Sequence, residues 1–225
     1  MEDGKKMNNL NVLYEDNHII VVEKPINVLS QGDATGDIDL LTIVKNYVKK
    51  KYNKPGNVYI GLVHRLDRPV GGVMVFARSS KAASRLNKQQ LEHKFEKKYL
   101  AVINGILSSN CGRFVDKLEK CSDGNTIVSK NGKESILDYK VISVNKKTNH
   151  SLVEVKLQTG RHHQIRVQFA SRGHSLCGDQ RYGSVDKTQL ALFAYKLGFF
   201  HPITKEKLEF TLLPPDKGYW TEFTM

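Results

Sequence analysis

Short apolar runs alternate with polar connections in the first third of the chain. The runs at 11–14 and 18–23 are β-rich and predict a hairpin that ends at Lys24-Pro25. Two further runs, at 58–63 and 72–77, are apolar throughout, as in strands buried on both faces. This part of the chain is therefore predicted to form a sheet with central strands at 58–63 and 72–77.

Apolar residues that recur every three or four positions predict two amphipathic helices. The first spans 39–50 and has Asp37 or Asp39 available as a cap. The second runs from Ser79 to about His93, with Leu91 on its inward face. The two helices and the hairpin connections give no strand–helix–strand alternation, which favours an α+β fold.

The second half of the chain is predicted to be mostly strands. Residues 108–135 lose apolar periodicity and contain glycines among charged residues, so we expect loops or a β-ribbon there. The remaining predicted elements are strands at 97–103, 136–144, 152–157 and 207–213, and a helix at 162–172.

The charge balance favours a polyanionic partner. Lysine and arginine number 35 against 23 aspartates and glutamates, which leaves a formal net charge of +12 at pH 7. Such a field attracts nucleic acid or an anionic membrane surface, and nucleic acid is favoured. The chain length fits one long domain or a short pair of domains.

Two further observations indicate a compartment. The first residues lack the apolar core of a signal peptide, and no window approaches the apolar length of a membrane span. The cysteines, three in number and without CxxC spacing, are expected to be reduced thiols. We therefore expect a cytoplasmic protein.

Two polar segments carry the candidate chemistry. HRLD, from His64 to Asp67, places one carboxylate between basic residues in a connection between two predicted strands. TGRHHQIR, at 159–166, concentrates basic and amide side chains. On these residues alone, Asp67 could be a general base, a nucleophile, a metal ligand or the acid of a structural ion pair. A metal is disfavoured because the flanking residues are basic and no second acid is close in the sequence.

Several ordered motifs resemble those of the RluA-type pseudouridine synthases. HRLDRPVGGVMVFA resembles the signature around the catalytic aspartate of that family, and VVEKP at 21–25 resembles its first motif. TGRHHQIRVQ, together with HSLCGDQRYG at 174–183, resembles the second motif. KKYLAV at 97–102 matches the motif tyrosine, and HPITKEKLEFTLLPP at 201–215 fits the C-terminal strand.

The resemblance implies an enzyme that isomerises uridine in RNA to pseudouridine. Asp67 would be the nucleophile that attacks the target uridine at the sugar or at the base ring. Arg166 would pair with Asp67, and Tyr99 would stack on the flipped base. Arg65 would fill the space that the base leaves in the RNA.

The same match supplies further substrate-binding candidates. His64 and Arg161 are candidate substrate contacts, with a phosphate or a structural role open for Arg161. Leu176 or Cys177 would line the uracil pocket. No cofactor and no metal are implied.

The implied fold is the pseudouridine synthase catalytic fold, an α+β domain with a mixed, largely antiparallel bent sheet flanked by helices and loops. We expect residues 1–10 to be a flexible N-terminus and residues 11–225 to be one catalytic domain. Because about ten residues precede the first predicted strand, this domain would select its RNA without a separate N-terminal RNA-binding domain. The expected partner is structured ribosomal or transfer RNA, with no membrane, and the expected state is a monomer.

The chain departs from the family pattern at two points. Val70-Gly71 stands where the family has Thr-Ser, and Gln168 stands where a histidine or similar polar residue often follows QIRV. Both positions lie outside the atoms that perform the chemistry. The alternatives are a non-catalytic RNA-binding or RNA-chaperone module with the same basic cleft, and a metal-dependent nuclease, which would need clustered acids.

Overall fold

The structure is a computed structural model that describes residues 10–224. The strands are β1 (Val12–Glu15), β2 (Ile19–Lys24), β3 (Gly61–Leu62), β4 (Gly71–Ala77), β5 (Glu96–Asn104), β6 (Cys111–Lys120), β7 (Thr126–Val128), β8 (Lys133–Asn145), β9 (His150–Leu157), β10 (Leu192–Phe200) and β11 (Lys207–Thr211). The helices are α1 (Leu40–Lys51), α2 (Ser80–Leu91) and α3 (Gln164–Ala170). The predicted flexible N-terminus falls almost entirely on residues outside this described range.

The chain divides into two compact units, and the first holds the described residues up to Phe95 together with 196–212. In this unit β2 pairs antiparallel with both β1 and β4, and β3 pairs with the end of β4. The last part of β10 pairs with β11. β4 is buried along its whole length because apolar residues occupy both of its faces. The predicted hairpin and the predicted central strand at 72–77 are confirmed.

Side-chain caps define where the two helices of the first unit begin. Asp39 accepts a hydrogen bond from the Thr42 N–H at 3.0 Å and caps α1. Ser79 accepts from the Ala82 N–H at 3.2 Å and caps α2. Both predicted helices are confirmed, but the inward position of Leu91 is wrong. Leu91 is 82% exposed because α2 ends there, and the next residues, 92–94, are exposed as well.

The second unit holds residues 96–195 and the described residues from Leu213 onward. Its strands pair antiparallel in the order β5, β9, β8, β6 and β7. β6 and β7 lie within 108–135, so the β-ribbon expected there is confirmed. Phe169 of α3 contacts the rings of Phe114 and Tyr139, at centroid distances of 5.1 and 6.0 Å, and fixes α3 against the sheet.

Several elements differ from the sequence prediction, among them β8, which begins at Lys133 and not at 136. β10 was not predicted. β3 is shorter than the predicted strand at 58–63, and directly after it the Val63 carbonyl accepts from the Gln90 side chain. α3 begins two residues late, since His163 has a left-handed backbone at φ 51° that no helix continues. β11 ends at Thr211, two residues before the predicted end.

The fold class is confirmed as α+β with largely antiparallel pairing. Cys111, Cys121 and Cys177 are free thiols, as expected. None of the helices in the described part of the chain has the length and apolarity needed to cross a membrane. Whether 11–225 acts as one catalytic domain stays a prediction.

Candidate active site

Asp67 lies in the connection between β3 and β4, inside the first unit. A turn through Arg68 and Pro69 is closed by a hydrogen bond from the Val70 N–H to the Asp67 carbonyl at 3.0 Å. The Asp67 side chain is half-buried, and Arg65 is exposed. The connection, residues 63–70, is called the aspartate loop below.

A buried lysine at the end of β2 fixes the aspartate loop. The Lys24 ammonium donates to the carbonyls of Arg68 at 3.0 Å and Val70 at 2.8 Å, and also to that of Pro25 at 3.0 Å. These three acceptors match the three donors of an ammonium group. Burial lowers the pKa of Lys24 to about 7, although the charge of Asp67 opposes the shift.

Sequence reasoning did not assign Lys24 to the site. The VVEKP motif was recognised, but the motif alone did not indicate which atoms the lysine would reach. The signal that could have found it is a charged residue directly before proline at the end of an otherwise apolar strand.

Ser30 and His64 hold the other side of the aspartate loop. The Ser30 hydroxyl donates to the Leu66 carbonyl at 2.7 Å and lies 3.0 Å from the Leu66 N–H, which donates to it. His64 is buried, and its Nε2 accepts from the Val75 N–H at 3.2 Å. This bond gives His64 a part in positioning the loop, and its contact with substrate stays a prediction.

Arg166 projects from α3 in the second unit and is held by a carboxylate that sequence reasoning missed. Its Nε and one Nη donate to the two oxygens of Asp179 at 2.8 and 2.7 Å. Both side chains are buried, with 7% and 0% exposed. Such a bidentate pair fixes the plane of the guanidinium. Asp67 and Arg166 belong to different units, and their pairing stays a prediction.

Tyr182 connects Arg166 to a neighbouring histidine. The guanidinium of Arg166 lies 5.1 Å from the centre of the Tyr182 ring. Burial lowers the pKa of His163 to about 3, with the charges of Arg166 and His162 acting in the same direction. His163 is therefore neutral, and its Nδ1 forms a hydrogen bond with the Tyr182 hydroxyl at 2.7 Å. The same hydroxyl accepts from the Thr126 N–H at 3.0 Å. These contacts favour a structural role for His163.

The segment before α3 is braced by Gln164. Its carbonyl oxygen accepts from the Thr159 hydroxyl at 2.9 Å and from the Arg161 N–H at 3.0 Å. The Arg161 Nε donates to the Glu134 carbonyl at 3.0 Å, on an exposed side chain. Arg161 is thus tied to the β8 backbone, and its predicted substrate contact stays open.

Gln168 is one of the two departures from the family pattern. Its amide is fully buried and donates to Asp116 at 2.7 Å and to the Ser135 carbonyl at 3.1 Å. The residue therefore ties α3 to the sheet.

Tyr99 lies on β5, and Leu176 pairs with a residue further along the same strand. Tyr99 is buried on this strand, opposite Val155 of β9. Leu176 is fully buried and forms an antiparallel bridge with Ile103, four residues along β5 from Tyr99. The structure therefore places the pocket residue proposed from the motif beside the strand that carries the motif tyrosine.

The candidate residues thus fall into two groups. His64, Arg65 and Asp67 share the aspartate loop of the first unit, whereas the second unit carries Tyr99, Arg161, Arg166 and Leu176. In residues 10–224, no three histidine, cysteine, aspartate or glutamate side chains are grouped as metal ligands would be.

The class of protein follows from a comparison with protein families. The model of the RNA pseudouridylate synthase family matches residues 18–171, a range that contains Asp67, Tyr99 and Arg166. This chain belongs to the RNA pseudouridylate synthase family and is an RNA pseudouridine synthase, an isomerase.

Individual relatives cover nearly the whole chain. A protein of Aquifex aeolicus described as an uncharacterized RNA pseudouridine synthase is 36% identical over 223 residues, which cover 92% of this chain and 70% of that protein. Ribosomal large subunit pseudouridine synthase D of Zymomonas mobilis is 32% identical over 226 residues, covering 89% of this chain and 68% of that protein. The structure of human RNA Pseudouridylate Synthase Domain Containing 4 has a TM-score of 0.78 at 20% identity, covers 94% of this chain and 90% of that one, and shows the shared fold.

Proposed function

We propose that this chain converts specific uridines of structured ribosomal or transfer RNA to pseudouridine, with Asp67 as the nucleophile. The observation that carries the proposal is the bracing of the aspartate loop by Lys24 and Ser30. Two carbonyl bonds from a buried ammonium and two bonds with a buried hydroxyl hold the backbone of the loop that carries this carboxylate. A nucleophile needs such positioning, because misplacement of a reacting atom is costly in rate.

The proposed reaction balances without a cofactor. The bond between ribose C1′ and uracil N1 breaks, and a bond between C1′ and uracil C5 forms. Asp67 attacks the nucleotide at the sugar or at the base ring and is released when the new bond has formed. The C5 hydrogen leaves as a proton and N1 gains a proton, so no oxidant or reductant is consumed.

The remaining candidate residues have roles in positioning the base. A paired uridine hides its glycosidic bond from a protein carboxylate, so the nucleotide must leave the helix, at about a few kcal/mol. Tyr99 stacks on the flipped base, and Arg65, which is exposed, fills the gap in the RNA. Arg166 pairs with Asp67 and orients it, while Asp179 holds the guanidinium in place.

One relative supports ribosomal RNA as the substrate. The Zymomonas mobilis protein carries the name of a ribosomal large subunit pseudouridine synthase. The formal net charge of +12 suits either RNA class, since phosphate contacts are independent of sequence.

The test uses purified protein and two RNA classes. Wild type, Asp67→Asn and Asp37→Asn are incubated with transcripts of large-subunit ribosomal RNA and with transfer RNAs, and pseudouridines are mapped by reverse-transcription stops after carbodiimide treatment. Asp37 is the matched control, because it is an exposed aspartate that pairs with Arg68 of the same loop at 2.7 Å. Wild type and Asp37→Asn should modify the same uridines.

Asp67→Asn should abolish isomerisation and leave RNA affinity within a few-fold, since the group removed is an anion. Normal turnover by Asp67→Asn would overturn the nucleophile assignment. A wild-type protein that binds these RNAs and modifies none of them would support a binding module instead.

A further inference from the structure

We propose that the C-terminal end of α1 is a second RNA contact, which grips phosphates of the substrate RNA away from the target uridine. The surface consists of Lys45, Lys49, Lys50 and Lys54 and is called the lysine ridge. The inference rests on the proposed function for the identity of its ligand. It is carried by a local charge imbalance and by the way the ridge is anchored.

The ridge lies in a stretch without acids. No aspartate or glutamate occurs between Asp39 and Asp67, while lysines accumulate in the last two turns of α1 and just after it. Lys45 and Lys49 are one helical turn apart, a spacing at which like charges repel. The Lys54 N–H donates to the Lys49 carbonyl at 3.0 Å, which folds the chain back and adds a further cation to the same end.

These lysines make no ion pair within residues 10–224, and Lys49, Lys50 and Lys54 are exposed. Their neighbour Lys51 differs, because its ammonium contacts Glu15 at 2.6 Å. The helix dipole favours cations in its last turn, but Lys45 lies one turn earlier. The dipole therefore explains only part of the cluster.

The second unit has a surface with the opposite arrangement. On one face of its sheet each exposed cation stands directly opposite an acid of the neighbouring strand. The pairs are Arg113 with Asp138, Lys117 with Glu134, Lys140 with Glu154, and Lys156 with Asp138. Four cations thus face three acids on that face, whereas the ridge lysines make no ion pair within residues 10–224, so a polyanion gains more by binding the ridge.

Contacts at the C-terminal end of α1 hold the ridge in place. Glu15 of β1 receives both Lys51 and Arg78, at 2.6 and 3.0 Å. The Arg78 guanidinium lies 4.6 Å from the centre of the Tyr52 ring, directly after α1. α1 therefore presents its lysines from a fixed end, which lowers the entropy cost of binding.

The position of the ridge indicates a long ligand. The start of α1 is tied to the active-site side of the unit by the bond from the Leu40 N–H to the Leu29 carbonyl at 2.8 Å and by the ion pair of Asp37 with Arg68. A helix of 12 residues extends about 18 Å. Only a polymer that continues beyond the target nucleotide reaches both ends.

The chemistry of the ridge favours RNA over a membrane. A membrane-binding helix exposes an apolar face beside its basic residues. In α1 the apolar residues Leu40, Val44 and Val48 are buried in the protein. No apolar residue of α1 is exposed, and the partly exposed Tyr52 directly after it is covered on one side by Arg78. The ridge thus offers charge with little apolar surface to insert.

The test compares two triple variants that each remove three positive charges. Lys49→Gln/Lys50→Gln/Lys54→Gln removes ridge charges, and Lys117→Gln/Lys140→Gln/Lys156→Gln removes charges that lie opposite acids. Their dissociation constants for a large-subunit ribosomal RNA transcript and for a short stem-loop with the target uridine are measured from low to moderate salt. Thermal unfolding checks that both variants are folded, and an arginine triple at the ridge positions should behave as wild type.

The ridge triple should lower the slope of log affinity against log salt by about 2 to 3 on the long RNA and weaken binding at least about tenfold. The stem-loop should be bound and isomerised as by wild type. Equal slopes for the two triples, or an equal loss on both RNAs, would overturn the inference, as would ridge-dependent binding to phosphatidylserine vesicles but not to RNA.

The outcomes separate this inference from the proposed function. If the wild type isomerises the long RNA but the two triple variants bind it with equal affinity and equal salt slope, only the inference about the ridge is refuted. If the wild type isomerises no RNA but the ridge triple still has a lower salt slope than the wild type, the proposed function is refuted and the ridge remains an RNA contact.

Discussion

Lys24 shows how one buried lysine both holds the aspartate loop and makes the stability of the protein depend on pH. Its ammonium bonds to two carbonyls of the aspartate loop, and its burial lowers its pKa to about 7. A lysine in the unfolded chain keeps its proton to about pH 10.4. Between these values the unfolded chain binds one more proton than the folded protein, so stability rises with pH in this window.

Lys24→Met should remove that dependence. From pH 7 to pH 10 the wild type should gain stability relative to Lys24→Met, by at most about 1.4 kcal/mol per pH unit. Below pH 7 the difference should be constant. Denaturant unfolding at several pH values measures it, with exposed Lys81→Met as the control for the loss of one lysine. The same trend for both variants would contradict a role for the burial of Lys24.

Arg166 and Asp179 form a buried pair, so removing one partner leaves the other as an unpaired charge. Arg166→Met should cost about 3 to 5 kcal/mol of unfolding free energy. Adding Asp179→Asn should recover part of this loss, because the orphaned carboxylate disappears. Urea unfolding of the two single variants and the double variant gives the coupling. Additive losses would show that the pair is not coupled.

At the scale of elements, the cap of α1 links local structure to the site. Asp39 receives both the N–H and the hydroxyl of Thr42, at 3.0 and 2.8 Å, and directly follows the loop that contacts Arg68. The helix start is therefore fixed by one carboxylate.

Asp39→Ala should destabilise the protein by about 1 to 2 kcal/mol, since the cap is lost from a buried position. Asp39→Ser, which keeps an acceptor, should recover most of the loss. Thermal or denaturant unfolding measures both, and exposed Asp33→Ala is the control for removing a loop carboxylate. An effect of Asp39→Ala no larger than that of Asp33→Ala would refute the role of the cap.

Elements with a strong local pattern were predictable from the sequence. α1 has buried residues at 40, 44 and 48, and β4 is apolar on both faces, so each follows from its own residues. β10 was missed because the polar residues Tyr195 and Lys196 interrupt its apolar run. The late start of α3 depends on the left-handed backbone of His163, which no periodicity encodes.

The site was predictable only as far as its motifs. Asp67, Tyr99 and Arg166 follow from the family resemblance. Lys24 and Ser30 do not, because they act on backbone atoms 36 to 46 positions away in the sequence. Asp179 was likewise missed, since nothing in the sequence pairs it with Arg166 rather than with another cation. Contacts between residues that are distant in sequence can be identified only from the folded structure.

At the scale of the whole molecule, the net charge of +12 is less informative than its distribution. Cations on one sheet face of the second unit lie opposite acids of the neighbouring strands, whereas the lysines of the ridge make no ion pair in the described part of the chain. The net charge therefore favours RNA in general, and the ridge indicates where part of that affinity resides.

The central claim is that this chain makes pseudouridine in RNA through Asp67. The most direct test maps pseudouridines in total RNA from cells that lack the gene and from the same cells carrying wild type or Asp67→Asn. We predict at least one site in ribosomal or transfer RNA that is lost on deletion, restored by wild type and not restored by Asp67→Asn at equal protein levels. Restoration of that site by Asp67→Asn would contradict the claim.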